Sequence, residues 1–386
     1  MNINILNEKL NKDFMSNYFG KQYLYKKEIF ENTSNIMSLH ILNNILGISS
    51  NWNNKNFIMM LDKNQIKYND YSSLSNETGG NFLRPDSEKV ENWVSKGASI
   101  ILNDIHRVNS GIINISNQLQ NLTNGRCQGN LYFSMQSHQA FGPHFDTHDV
   151  FAIHFEGEKV WNIYEKTENN PINHPLFKYS EEDRIKKAGR IIDQITLKPG
   201  DLLYIPRGQY HDALASKNGS IHLTFGLSYF KPIDLMGIMW EKFIINDFMR
   251  KDFNKNSTKE DLKNNLKTLS KELDKIINTD QTNEALFDSI KKWPYKIKDF
   301  SLNQIVSEGR KYTVSKLIKI EKNNKQVYLT NGKDKVIIPN NYLDLTTYIL
   351  SQESFTYNSI NLNFKNLDEN IIKEALEKLK NMKVIY

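Results

Sequence analysis

Residues 150–164 read VFAIHFEGEKVWNIY, and this stretch decides the fold of the chain. It contains two apolar runs, 150–155 and 159–164, which are separated by Glu156-Gly157-Glu158. Short runs rich in apolar and β-branched residues, bounded by turn-forming residues, are typical of strands. A short connection centred on glycine is typical of a hairpin. The stretch therefore predicts two paired strands joined by a tight turn.

Short apolar runs separated by turn-forming residues continue on both sides of this predicted hairpin. Further strand-like runs lie at 131–135, 194–197, 202–205 and 221–227. The turn Lys198-Pro199-Gly200-Asp201 separates two of them. Many short strands without long intervening helices favour an antiparallel barrel or jelly roll.

The remainder of the chain predicts two further parts. At 386 residues the chain exceeds one ordinary domain. After Pro232, apolar residues recur every three or four positions, which is typical of amphipathic helices. From residue 294 a mixed segment follows, with expected elements at 302–306 (helix), 327–329 and 336–338 (strands around Asn331-Gly332) and 368–379 (helix). We therefore predict an α+β protein with three domains: 1–230, a barrel with a helical lead-in; 231–293, a helical block; and 294–386, a winged-helix-like module.

Two histidines and an aspartate are the candidate metal ligands. His144 and Asp146 lie two positions apart after Gly142-Pro143, so at the start of a strand both side chains would face the same way. His211 follows the strand-like run at 202–205. Two histidines and one carboxylate, with the opposite positions open, form the facial triad that holds non-haem Fe(II) in oxygenases. His144, Asp146 and His211 are therefore the predicted metal-binding and catalytic residues.

Lys159 is the candidate binding residue for an anion. It lies on the second predicted strand and is followed by Val160 and Trp161, an unusual setting for a surface lysine. A buried charge needs a partner. An anionic co-substrate inside the barrel would supply one.

These residues carry a resemblance to a known family. The resemblance rests on His144-x-Asp146, on Gly157-Glu158-Lys159-x-Trp161, and on the run 197–208 followed by His211. Together they resemble the Jumonji-C (JmjC) ribosomal oxygenases, which are cupin-type 2-oxoglutarate protein hydroxylases. The resemblance is dense from about residue 95 to residue 230. It implies a double-stranded β-helix, the jelly-roll barrel of cupin and JmjC proteins, followed by a helical dimerisation block and a winged-helix-like domain.

The resemblance also implies roles for individual residues. His144, Asp146 and His211 would ligate Fe(II), and Lys159 would pair with the distal carboxylate of 2-oxoglutarate, with dioxygen as the third participant. Three further positions match residues that line the co-substrate or substrate pocket, namely Asn130, Tyr132 and Thr224. His154 stands where relatives often have glutamine, and its role is left open.

The remaining histidines and an arginine receive ordinary interpretations. His148 lies two residues after Asp146, but a fourth protein ligand would block the open metal position. Arg207 is interpreted as a residue that fixes its loop. The other histidines are interpreted as hydrogen-bonded or flanking residues without a metal role: His106, His138, His174 and His222.

Several functions are compatible with this site. The resemblance implies hydroxylation of a histidine or arginine side chain in a ribosomal protein. A tailoring hydroxylase for a ribosomally made peptide natural product would use the same machinery. A JmjC demethylase would share the fold but release formaldehyde. A metal-free scaffold that binds a ribosome or nucleic acid would have no use for the triad together with Lys159.

Composition and charge set the expected location and partners. The single cysteine cannot form an internal disulfide, and no run of 18 or more apolar residues is present. These features favour a cytoplasmic protein that does not span a membrane. The net charge of +6 allows a nucleic-acid partner, at most indirectly, but does not require one. The expected partners are a protein or peptide substrate and, through the helical block, a second copy of the chain.

Overall fold

A computed structural model describes residues 6, 10, 13–135, 141–293, 311–316, 318–322, 326–330 and 335–386, without the side chains of 215–218. The chain divides into two compact units, Met1–Tyr295 and Lys296–Tyr386. The three-domain division expected from the sequence stays a prediction. The expected helix at 302–306, the turn Asn331-Gly332 and His138 lie outside the described residues.

The first unit is built on an antiparallel sheet that curls into a barrel. Its strands are β1 (Leu24–Lys26), β2 (Phe57–Leu61), β3 (Asn64–Gln65), β4 (Ser72–Glu77), β5 (Gly80–Pro85), β6 (Ser99–Leu102), β7 (Arg126–Ser134), β8 (Asp149–Thr167), β9 (Ile191–Leu197), β10 (Leu202–Ile205) and β11 (Gln209–Ser228). The order of the main sheet is β1-β10-β8-β11-β7-β6-β2-β3, with β9 paired to β8, while β4 and β5 form a separate hairpin. This arrangement confirms the predicted antiparallel barrel.

The predicted hairpin at 150–164 is wrong, because these residues form one continuous strand, β8. Gly157 has a φ of +69° and lies at a break in the register with β11, so it forms a bulge and not a turn. Before the bulge, inward-facing residues of β8 have even numbers, as at Val150 and Ala152; after it they have odd numbers, as at Trp161 and Ile163. The extra residue lets one strand bend and pair with β10 through its first half and with β9 through its second.

The long strand β11 follows β8 along its whole length and bends at the same level. Gly219 has a φ of +80°, and its carbonyl oxygen lies 2.0 Å from where a Cβ on Gly157 would stand. The two bulges therefore cross at a point where only glycine fits on β8.

Two apolar clusters lie on opposite sides of the sheet. The larger lies outside the barrel and joins the sheet to the N-terminal helices, and it includes Phe14, Phe151 and Phe225. The smaller fills one end of the barrel interior, between Ala152, Trp161 and Leu203. Because the smaller cluster fills only part of the interior, the remaining inward-facing side chains of β7, β8 and β11 are free to be polar.

Helices surround the barrel and follow it in the chain. They are α1 (Leu39–Leu46), α2 (Ser87–Ser95), α3 (Ser110–Thr123), α4 (Glu181–Ala188), α5 (Pro232–Ile245), α6 (Lys259–Ile277) and α7 (Asp280–Lys292). Side-chain caps define several starts: Ser38 caps α1, Asn109 caps α3 and Thr258 caps α6 in a capping box with Asp261. The helices α5 to α7 confirm the helical character predicted for 231–293. No helix of the described residues combines the length and the apolar composition needed to cross a bilayer.

The second unit is a small mixed module with its own core. Its described elements are β12 (Lys311–Thr313), β13 (Lys319–Lys322), β14 (Val327–Thr330), β15 (Lys335–Ile337), α8 (Asn340–Ser351), β16 (Ser354–Thr356), α9 (Tyr357–Asn363) and α10 (Glu369–Asn381). The strands β13, β14 and β15 form an antiparallel sheet, and β12 pairs with β16. The predicted strands around 327–329 and 336–338 and the helix near 368–379 are present; the winged-helix assignment itself stays a prediction.

Candidate metal centre and co-substrate pocket

His144 and His211 form an isolated antiparallel bridge at the mouth of the barrel. The backbone N–H of His144 donates to the carbonyl of His211 at 3.0 Å, and the N–H of His211 donates back at 2.8 Å. Residues paired in this way project to the same face, and the two imidazole centroids lie 4.5 Å apart. His144 thus lies in a loop joined to β11 by one bridge, and not at the strand start expected from the sequence.

The same local contact orients both imidazole rings. The Nδ1 of His144 lies 2.8 Å from the carbonyl oxygen of Gly142, and the Nδ1 of His211 lies 2.9 Å from the carbonyl oxygen of Gln209. Each ring is thereby held by the carbonyl two residues upstream. A backbone acceptor at Nδ1 fixes the proton there and leaves Nε2 as a metal donor.

Asp146 completes the group on the same side. Its Oδ2 lies 3.6 Å from the Nε2 of His211, and its backbone carbonyl accepts a hydrogen bond of 3.0 Å from the N–H of Gly208. One donor atom from each of His144, Asp146 and His211 lies within 4.8 Å of the others. The structure therefore brings together the three ligands expected from the sequence.

The electrostatics of the group suit a divalent metal. Burial lowers the pKa of His211 to about 4, so that ring is neutral near pH 7. Burial opposes ionisation of Asp146, but attraction to His148, His211 and His144 lowers its pKa overall. A carboxylate and two imidazoles on one side, facing a cavity of about 220 Å³, leave room for further ligands. This donor set fits Fe(II).

Lys159 lies in the same cavity, deep in the barrel. Its side chain is only 5% exposed, its Nζ lies 3.4 Å from the Oγ of Ser134, and it faces the ring of Tyr132 at 5.9 Å. No carboxylate of the described residues lies within ion-pair distance of it. The expected burial of Lys159 is therefore observed, although the lysine lies beyond a bulge and not beyond a turn.

Two facing rows of residues, polar except for Gly226, run from this lysine along β7 and β11. On β7 the row is Arg126, Gln128, Asn130, Tyr132 and Ser134; the β11 residues opposite are Ser228, Gly226, Thr224, His222 and Ser220. Asn130, Tyr132 and Thr224 line the 220 Å³ cavity, as expected from the sequence.

His222 and Trp161 are pocket residues that the sequence interpretation missed. His222 lines the cavity, stacks on Tyr132 at 4.8 Å between centroids, and has an Nδ1 without a hydrogen-bond partner among the described residues. It is thus not the ordinary hydrogen-bonded histidine that was expected. The available signal was its position two residues before Thr224 on one strand, which places both on the same face.

His154 lies behind His222 and does not line the cavity. The two rings are nearly parallel, with centroids 6.2 Å apart, and neither nitrogen of His154 has a partner among the described residues. Burial and the nearby Lys159 lower the pKa of His154 to about 4. His154 is therefore a neutral ring in the layer that supports the pocket.

A larger cleft of about 800 Å³ adjoins the cavity and shares Asn130 and His148 with it. Its walls carry mainly amide and charged side chains, including Arg126, Gln128 and Asn173. The ring of His148 packs against Gly226, so closely that a Cβ added to Gly226 would lie 2.4 Å from the ring. His148 thus borders both spaces and is not a member of the metal-ligand cluster.

Arg207 has the structural role expected for it. Its backbone N–H donates to Asp149 at 2.8 Å, and its guanidinium bonds the side chain of Asn170. The Nδ1 of His174 accepts from the N–H of Leu176 at 3.2 Å. Neither side chain lines the cavity.

A jelly-roll barrel with two histidines and a carboxylate at its mouth defines a cupin-type metal site. Residues 106–235 match the JmjC domain family, so this part of the chain is a JmjC domain. The predicted resemblance to JmjC proteins is thereby confirmed over these residues.

Curated relatives match parts of the chain. It is similar to the bifunctional lysine-specific demethylase and histidyl-hydroxylase NO66 of Dictyostelium discoideum, with 28% identity over 224 residues, 55% of this chain and 40% of that protein. It is also similar to ribosomal oxygenase 2 of Bos taurus, with 34% identity over 137 residues, 35% of this chain and 28% of that protein. The chain thus spans less than half the length of these two relatives.

Solved structures match along the whole chain. Escherichia coli ycfD aligns with a TM-score of 0.53 and 17% identity over 97% of each chain. A structure described as YcfD, a ribosomal oxygenase from Escherichia coli, in complex with cobalt and 2-oxoglutarate aligns with a TM-score of 0.51 and 16% identity. At this level of identity the likeness shows a shared fold.

Proposed function

We propose that this chain is an Fe(II)- and 2-oxoglutarate-dependent dioxygenase that hydroxylates an amino-acid side chain of a protein or peptide. One observation carries the proposal. The donor set of His144, Asp146 and His211 opens into a cavity that also holds Lys159, a buried amine without a carboxylate partner among the described residues. A metal-chelating anion with a second carboxylate satisfies both requirements at once.

The residues of the chain bind, orient and shield the reactants. His144, Asp146 and His211 would hold Fe(II), which with 2-oxoglutarate and dioxygen supplies hydroxylation of a C–H bond and yields succinate and carbon dioxide. Lys159 binds the distal carboxylate and so directs the 2-oxo acid end towards the triad. The stacked rings of Tyr132 and His222 form one wall of this region and would shield the bound co-substrate from water.

The adjoining cleft supports a peptide substrate. At about 800 Å³ it is larger than the co-substrate cavity, and its side-chain amides can pair with both the N–H and the C=O groups of a peptide backbone. It reaches the metal side of the barrel at Asn130 and His148. A peptide in the cleft would present one side chain towards the triad.

We further propose that the substrate is a ribosomal protein and that the hydroxylated residue is a histidine or an arginine. The names of the similar proteins, ribosomal oxygenase and histidyl-hydroxylase, support this choice. The name of the NO66 relative also includes lysine-specific demethylase, which supports demethylation as a second candidate. A tailoring reaction on a precursor peptide would use the same cleft.

The helical block supports a homodimer. On α5 the side chains of Ile233, Trp240 and Ile244 share one face and are 58%, 61% and 46% exposed. Such an apolar face is typical of an association surface. Light scattering of the purified chain would show a mass of one or two copies, and a single-copy mass would refute the dimer. A cytoplasmic location remains a proposal.

The activity test compares wild type with His144→Ala. Each protein is loaded anaerobically with Fe(II) and 2-oxoglutarate and exposed to oxygen, and both succinate formation and binding of metal and 2-oxoglutarate are measured. His40→Ala is the matched control, because His40 is an exposed histidine on α1. We expect iron-dependent succinate in wild type and the control but not in His144→Ala. Absence of both metal and 2-oxoglutarate binding in wild type would refute the proposal.

The substrate test follows the product. Ribosomal proteins treated with wild type or His144→Ala are searched for peptides heavier by one oxygen atom. Formaldehyde is measured in parallel, because its release would favour the demethylase. A gain of oxygen on a precursor peptide alone would favour the tailoring reaction.

A further inference from the structure

Lys159 is a buried base that has no anionic partner in the part of the chain that the structure describes. Its side chain is 5% exposed, and its Nζ lies 3.4 Å from the hydroxyl of Ser134. Burial lowers the pKa of Lys159 to about 7, from an ordinary value of 10.5. An isolated ammonium group in such surroundings releases its proton more easily than one in water.

The groups that surround Lys159 do not supply the missing negative charge. Tyr132 on β7 and His222 on β11 face Lys159, and His154 lies on the same strand as Lys159, β8. The residue of β9 that pairs with Lys159 is Leu197, which is apolar. Burial raises the pKa of Tyr132 to about 12. Burial and Lys159 lower the pKa values of His222 and His154, so all three rings are neutral at pH 7 to 9.

Among the described residues, no carboxylate lies within ion-pair distance of Lys159. Asp146 affects the pKa of Tyr132, and Asp201 affects that of His154, whereas burial alone accounts for the shift of Lys159. Until an anion binds, Lys159 is therefore either a neutral amine or a cation that loses its proton easily.

We propose that 2-oxoglutarate enters the pocket together with one proton, which Lys159 takes up as the distal carboxylate binds. The inference rests on the proposed function. The neutral amine and a proton from solvent give an ammonium group that pairs with the carboxylate, and no bond of the co-substrate is broken. A buried ion pair is stable only when both charges are present, so binding and protonation occur together.

The proposal fixes the direction of the pH dependence. Below about pH 7 the lysine of the empty site is already charged, and affinity for 2-oxoglutarate is highest. Above that pH each unit removes a further fraction of the charged form, so the dissociation constant should rise about tenfold per pH unit until the pKa of the complex is reached.

The experiment is calorimetry on the anaerobic Fe(II)-loaded protein at pH 7, 8 and 9. Titrations in buffers of different ionisation enthalpy give the number of protons taken up. The comparison ligand is 2-oxobutyrate, which has the same 2-oxo acid end but no distal carboxylate, so proton changes at the metal cancel. At pH 8 we expect binding of 2-oxoglutarate to take up about one proton more than binding of 2-oxobutyrate, which should show only the proton change at the metal that both ligands share.

Lys159→Arg is the matched variant, because arginine stays charged at every pH used. It should bind 2-oxoglutarate without proton uptake and with an affinity that is flat from pH 7 to 9. If this variant does not fold, the comparison of the two ligands on wild type decides alone. Equal proton uptake for both ligands, or a flat affinity in wild type, would overturn the inference and leave the proposed function intact. Failure of 2-oxoglutarate to bind at every pH would overturn both.

Discussion

Replacement of Gly157 by alanine tests whether the bulge on β8 positions the pocket. Gly157 has a φ of +69°, and an added Cβ would lie 2.0 Å from the backbone carbonyl oxygen of Gly219. The positive φ alone costs about 1–2 kcal/mol for a residue with a side chain. The collision cannot be relieved by a rotamer change, because the obstacle is backbone, and we expect a total loss above about 3 kcal/mol.

Gly20→Ala is the matched control. Its φ of +67° is nearly the same, but no atom of the described residues lies within 4 Å of its added Cβ. Only the cost of positive φ, about 1–2 kcal/mol, should appear there. The difference between the two variants therefore isolates the crossing of β8 and β11.

Urea unfolding followed by tryptophan fluorescence measures the free energy of unfolding of both variants. Gly157→Ala should also weaken 2-oxoglutarate binding, because Lys159 lies two residues further along the strand, while Gly20→Ala should not. Equal losses of stability in the two variants would refute the crossing as the source of the constraint. A stability loss with unchanged binding would refute the link between the bulge and Lys159.

Two further predictions concern buried charges. Lys159→Met should stabilise the protein in the absence of co-substrate, because burial lowers the pKa of this lysine to about 7. The gain in the free energy of unfolding should be on the order of 4 kcal/mol at pH 6 and should shrink as the pH rises from 7 towards 10.5. A gain that does not depend on pH in urea unfolding would contradict this prediction. Asp201 accepts hydrogen bonds from the hydroxyl of Tyr25 at 2.8 Å and from the backbone N–H groups of Glu28 at 3.0 Å and Lys198 at 3.0 Å. Asp201→Ala should cost about 2–4 kcal/mol in the same assay and Asp201→Asn less, and equal costs would argue against the loss of acceptors as the cause.

The strands and the ligands could be predicted from the sequence because their signals are local. A short run of apolar and β-branched residues between turn-forming residues indicates a strand, and His144, Asp146 and His211 are the residue types that a facial triad requires. The end of β9 and the start of β10 could also be predicted from a local signal, because the turn between them, at 198–201, contains Pro199 followed by Gly200.

The bulge at Gly157 could not be predicted in the same way. A glycine between two glutamates satisfies a tight turn and a bulge equally well, because both need a positive φ. The choice depends on whether a distant strand, β11, pairs with both halves of 149–167, and no short window contains that information. For His222 a local signal existed in its spacing of two residues to Thr224, whereas its stacking on Tyr132 follows only from the register between β7 and β11.

The change from even to odd inward-facing positions along β8 makes the number of residues as important as their kind. Removal of one residue from 156–158 would turn Lys159, Trp161 and Ile163 outward together, which would expose two apolar side chains and empty the anion site at once. A substitution affects one side chain, whereas a deletion here affects every side chain up to the end of the strand.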